Sequence, residues 1–155
     1  MKRFALALLL ASAWPAHAGA AQPRDFVFAG GSAAEDVQEL LARPDIDGVQ
    51  IVYTWKSLEP EEGRYDFSTI ERDLAATDAA GKKLFVQVQD RFFLPAARNL
   101  PDYILSEPQY AGGLARQADN PGEGRPIAAG WAARQWNAAL RTRFQALLTA
   151  LAEQF

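Results

Sequence analysis

The chain has 155 residues, no cysteine, and a single histidine, His17; 16 Lys+Arg stand against 19 Asp+Glu, for a net charge of −3. Beyond His17 there is neither His nor Cys, which excludes Ser-His-Asp and Cys-His catalysis and any zinc site built on those ligands. No basic run or stripe is present, so no nucleic-acid partner is expected.

Residues 1–20 read as a signal peptide. Lys2 and Arg3 precede an apolar run over residues 4–14, Pro15 closes it, and Ala16-His17-Ala18 or Ala18-Gly19-Ala20 offers a cleavage pattern. The run is well short of the roughly 20 residues that span a bilayer; the alternative is an uncleaved anchor. The expectation is export, to the periplasm or the medium, with no membrane attachment after cleavage. Removal through Ala18 takes two basic residues and no acid, leaving 14 against 19 and a net charge of −5. About 135 residues then remain, enough for one small domain.

Residues 25–30 (DFVFAG) form a short first strand, broken at Gly30-Gly31. Ser32 and Glu35 have capping-box spacing ahead of a helix with Val37, Leu40 and Leu41 on one face, ended by Pro44. Residues 48–55 (GVQIVYTW) are a second strand, apolar on both parities as a strand covered on both faces should be. The acidic stretch 55–68, WKSLEPEEGRYDFS, follows it. Ser68 and Glu71 form a second capping box for a helix that buries Ile70 and Leu74 and ends at Gly81. Residues 82–93 are the third strand, with Leu84, Val86 and Val88 on one face and Gln87, Gln89 and Arg91 on the other. Strand, loop, helix and strand together have the length of a βαβ crossover.

Regular pattern stops over residues 94–135, rich in Pro and Gly but also carrying Tyr103, Tyr110 and Trp131. It reads as a long strand-to-helix excursion with short helical turns. From about Asn137 a helical stripe resumes through Trp136, Leu140, Phe144, Leu147, Leu148, Leu151 and Phe155. Gln50, Thr54, Gln87, Gln89 and Arg91 share the sheet face opposite the helices. That face is either the polar upper interior of a barrel or the solvated side of a small antiparallel sheet.

The pattern W-x-x-L-E-P-x-x-G-x-Y-D-F-S, followed by a helix, Gly-Lys-Lys and a strand, resembles the N-terminal part of (β/α)8 glycoside hydrolases, nearest the beta-galactosidase-like set (family 42-like, within the cellulase-like superfamily). The match covers residues 48–93 well and the remainder loosely. It implies an α/β fold: an incomplete TIM barrel over residues 21–155, about the first three β/α units, truncated before strand 4. It also implies hydrolysis of O-glycosyl bonds by two carboxylates without cofactor or metal, a carbohydrate partner, and catalytic Glu residues on later strands, beyond Phe155. No catalytic residue is assigned here, and the chain is expected to be inactive alone. The rival readings are a non-catalytic exported carbohydrate-binding module and an unrelated small α/β structural domain.

Within the chain, Trp55 is either a sugar-stacking residue at a strand's carboxyl end or a core tryptophan. Gln89, Asp90 and Arg91 either hydrogen-bond sugar hydroxyls or order the long loop. Glu59 is the tempting carboxylate, since glycosidases need two carboxyls close together, and Asp90 on the neighbouring strand is the candidate for the second. The resemblance gives Glu59 a structural part, holding the second strand against its helix, with Tyr65 and Phe67 closing the loop. Trp136 is read as a helix anchor.

Overall fold

The computed structural model describes residues 23–119 and 124–155. The signal-peptide reading of residues 1–20 lies outside them. The described residues form a mixed α/β fold with two three-stranded sheets. In the first, β1 (Phe26–Gly30), β2 (Gly48–Thr54) and β3 (Lys83–Gln89) run parallel in the order β1-β2-β3. Parallel neighbours need crossovers. A 3-10 turn (Ala34–Val37) with α1 (Gln38–Leu41) links β1 to β2, and α2 (Trp55–Leu58) with α3 (Ser68–Ala79) links β2 to β3. The sheet is not closed into a barrel.

Strand periodicity of two decides which face is buried. Val49, Ile51 and Tyr53 of β2 point under the helices and are nearly inaccessible. Register places Leu84, Val86 and Val88 of β3 beside them. The opposite face is open. At its lower end Phe26 and Phe85 meet edge to face, 6.4 Å apart, across Gly48. A Cβ on Gly48 would overlap the Lys83 carbonyl and the Phe26 ring, so glycine lets the two aromatics close over the strand.

Several predicted boundaries move. The first helix is only a 3-10 turn and one α turn, leaving Leu40 exposed while Leu41 is buried. Its cap is Asp36, which accepts from the Ala33 N–H at 2.9 Å, not the Ser32–Glu35 box. At α3 the capping acceptor is Asp66, which takes the Ser68 N–H (3.0 Å) and hydroxyl (2.6 Å), so Ser68 caps nothing. These two bonds hold the Asp66 carboxyl below its ordinary value. Gly81 follows the helix with φ +66°, as the left-handed C-terminal position requires.

The third strand does not run to Phe93. It breaks at Asp90, and β4 (Arg91–Phe92) joins a second, antiparallel sheet with β5 (Leu114–Asp119) and β6 (Ile127–Ala133), in the order β4-β6-β5. The excursion read as irregular therefore contains a β-hairpin, besides α4 (Asp102–Ser106) and a 3-10 turn (Pro108–Tyr110). Gly130, at φ +142°, lets β6 approach β4 where any Cβ would overlap the Phe92 carbonyl. Finally α5 (Ala138–Gln154), capped by Asn137 accepting from the Leu140 N–H at 3.0 Å, lays Leu140 and Leu147 into the core.

Candidate functional site

The acidic stretch after β2 folds inward. Thr54 ends the strand and caps α2, accepting from the Ser57 N–H at 3.1 Å. That turn drops Trp55 into the core at 0% exposure, where its ring lies 4.9 Å from Phe144 of α5. Burying a tryptophan removes roughly 200 Å² from water and contributes about 5 kcal/mol. No face of the indole is open to a sugar ring, so its assignment as a substrate contact is corrected: Trp55 is a core residue.

Glu59 is equally inaccessible, at 0%. Its Oε2 accepts from the Trp55 indole N–H at 2.7 Å, and its Oε1 accepts from the Gly63 N–H at 2.9 Å and from the Arg143 guanidinium. Arg143 reaches in from α5, with the Tyr103 hydroxyl 3.4 Å from its Nε and Glu62 at 3.7 Å. Burial disfavours the Arg143 charge, but hydrogen bonds to Tyr103 and Glu59, and the Glu59 charge, outweigh it and hold its pKa above the ordinary value. Burial also pushes the Tyr103 hydroxyl up. Glu59 is thus the inner half of a clasp joining the loop to α5, rather than a brace between β2 and the helix that follows it. With both oxygens bonded to donors inside the protein and no surface exposed, it meets no substrate. Tyr65 and Phe67 stack at 5.8 Å and close the loop over α5, with Phe67 lying 6.2 Å from Phe155.

At the carboxyl end of β3 the three predicted residues separate. Gln89 stays on the open face by register with Thr54. Asp90 turns the chain: its carbonyl accepts from the Ala133 N–H (2.9 Å), and its Oδ2 from the Gln135 amide (2.7 Å). It therefore ties β3 to the segment entering α5, the loop-ordering alternative. Arg91, assigned to the same face as Gln89, instead lies exposed on β4 in the other sheet. Glu59 and Asp90 do not form a catalytic pair, since each is engaged in its own clasp.

What the open face does gather is carboxamide and hydroxyl. The Gln50 amide donates to Gln87 Oε1 at 2.6 Å between adjacent strands, with Thr54 and Gln89 one step above. Phe28 and Phe85, 65% and 53% exposed, flank Gln50 in its own row, and Phe26, 36% exposed, lies one row below. One face therefore sets hydrogen-bonding groups beside aromatic surface, with Thr54 and Gln89 nearest the strand ends.

Sequence reasoning missed Arg143, Gln135 and Asp73. Asp73, 1% exposed within α3, accepts from the Tyr53 hydroxyl (2.8 Å) and the Ala34 N–H (3.1 Å). Burial and this carboxylate raise the Tyr53 pKa. Nothing in residue order pairs a mid-helix Asp with a strand Tyr. Trp136 was misplaced: it precedes the Asn137 cap, lies off the helix, and is 70% exposed. Among the described residues no group of three or more His, Cys, Asp or Glu is placed to hold a metal, and no helix is long and apolar enough to cross a membrane.

No protein-family model matches the chain, and no curated protein matches it either.

Proposed function

We propose that the chain is the front of an exported (β/α)8 glycoside hydrolase-like protein, forming one wall of its sugar-binding cleft. The observation that carries the reading is the open sheet face. Three parallel strands lie side by side in chain order, as successive barrel strands do, with one face under helices and the other bearing amides beside aromatic rings. Ligands of α/β folds are met at strand carboxyl ends, which is where Thr54, Gln87 and Gln89 lie. Neutral amides and hydroxyls both donate and accept, matching sugar hydroxyls without a charge requirement. The loop motif of residues 55–68 adds its resemblance.

In this reading the chain positions sugar and does no bond cleavage. Its two tempting carboxylates are both engaged, Glu59 within the core and Asp90 on Gln135. The two catalytic carboxylates belong to later strands. The test is an assay of the purified chain on a panel of aryl-glycosides, with saturation-transfer NMR on the matching oligosaccharides. The expected result is no turnover, and transfer to sugar that is lost in Gln87→Ala/Gln89→Ala. Turnover abolished by Glu59→Gln or Asp90→Asn would overturn the reading, as would an absence of transfer.

A further inference from the structure

A second polar pocket lies on the helix-covered side of the same sheet, at the carboxyl ends of β1 and β2. Its volume is about 320 Å³, within the range of small-molecule sites. Three elements wall it: Ser32 from the loop after β1, Thr54 and Ser57 from the β2–α2 corner, and Thr69 and Arg72 from the first two turns of α3. Asp73 forms its floor and is buried.

The hydrogen-bonding inventory narrows the ligand. Asp73 is held from below by Tyr53 and the Ala34 N–H, which fixes its carboxylate in place. Arg72 stands 3.7 Å from that carboxylate, beyond hydrogen-bond length, with its side chain 53% exposed. No hydrogen bond among the described residues engages the Ser32 or Thr69 side chains or the Arg72 guanidinium. The rim therefore offers the Arg72 guanidinium and hydroxyls that both donate and accept, above a buried carboxylate whose two oxygens are already engaged. The Arg72 and Asp73 charges cancel. A phosphate or carboxylate would face the Asp73 charge across a few ångströms, so a bare anion is disfavoured. A neutral polyol suits the rim: its oxygens accept from Arg72 while its hydroxyls exchange hydrogen bonds with Ser32 and Thr69.

We propose that this pocket binds one neutral sugar residue, independently of the open face of the sheet. Of the residues assigned to the cleft it shares only Thr54, at the strand end; Gln50, Gln87 and Gln89 report on the cleft and Ser32, Thr69 and Arg72 on the pocket, so each claim can fail alone. The experiment is a ¹⁵N NMR titration of the purified chain with methyl β-glucoside and methyl β-galactoside, and separately with inorganic phosphate. The expected result is saturable shifts at the Ser32, Thr69 and Arg72 amides in the millimolar range with at least one glycoside. Arg72→Ala removes them; Thr69→Val, which leaves Arg72 in place, weakens them several-fold. Dispersed spectra for both variants show that loss of binding is not loss of fold. Shifts at Gln50, Gln87 and Gln89 alone would overturn this inference and leave the cleft reading standing; shifts at the pocket alone would do the reverse. Saturable binding of phosphate in place of glycoside, or glycoside shifts unchanged in Arg72→Ala, would also overturn it.

Discussion

Replacing Glu59 by Gln keeps its volume and one carbonyl oxygen but removes the charge. The wild-type carboxylate receives three donors: the Trp55 indole, the Gly63 N–H and the Arg143 guanidinium. An amide cannot accept on both sides, so its NH2 must face one of those donors, and Arg143, with a side chain only 18% exposed, loses its nearer counter-charge and keeps only the half-exposed Glu62 at 3.7 Å. Removing one partner of a buried ion pair costs about 3–5 kcal/mol. For a domain of this size that corresponds to a fall in Tm of roughly 10–20 °C. Urea denaturation followed by circular dichroism measures it directly. Glu59→Leu/Arg143→Met should be less destabilised than the sum of its single variants, because neither charge is then stranded. A Glu59→Gln protein within about 1 kcal/mol of wild type would refute the clasp and return Glu59 to the list of available carboxylates.

Gly130→Ala should lose about 2–3 kcal/mol and speed amide exchange across β4–β6, since the added Cβ meets the Phe92 carbonyl; unchanged exchange would contradict that close approach. Tyr53 and Tyr103 both have pKa values raised above the ordinary Tyr value near 10, chiefly by burial. Above about pH 10 the unfolded chain releases protons that the folded chain keeps, so stability falls as pH rises, by up to about 1.4 kcal/mol per pH unit for each Tyr. Absorbance titration at alkaline pH should show these two ionising only with unfolding. Trp136→Ala should leave Tm within about 1 kcal/mol equivalent of wild type, because the indole lies outside the core, whereas Trp55→Ala should cost about 3–5 kcal/mol.

The parallel sheet was legible because its strands are written in β-branched residues with the right parity. Burial of Val49, Ile51 and Tyr53 follows from that alternation, and the α5 core from Leu140 and Leu147 at helical spacing. The second sheet was not legible, since Leu114–Asp119 and Ile127–Ala133 are rich in alanine and poor in β-formers. Their pairing is a tertiary effect that depends on Gly130. The two tryptophans changed places for a related reason. Whether a Trp at an element boundary is buried depends on where the next turn starts, and both turns are set by single caps, Thr54 and Asn137. Arg91 was lost to the break at Asp90, whose Gln135 partner lies 45 residues away. Contacts at that range leave no local trace in the sequence.

In the proposed function the open amide-bearing face of β1–β3 contacts sugar. The most direct measurement follows the side-chain amide signals of Gln50, Gln87 and Gln89 by ¹⁵N NMR while oligosaccharides are titrated into the purified chain. Sugar held on this face gives saturable shifts at these amides and none at the buried Trp55 indole N–H. Amide signals that stay fixed, or a Trp55 indole signal that moves with the sugar while they do not, would contradict that contact.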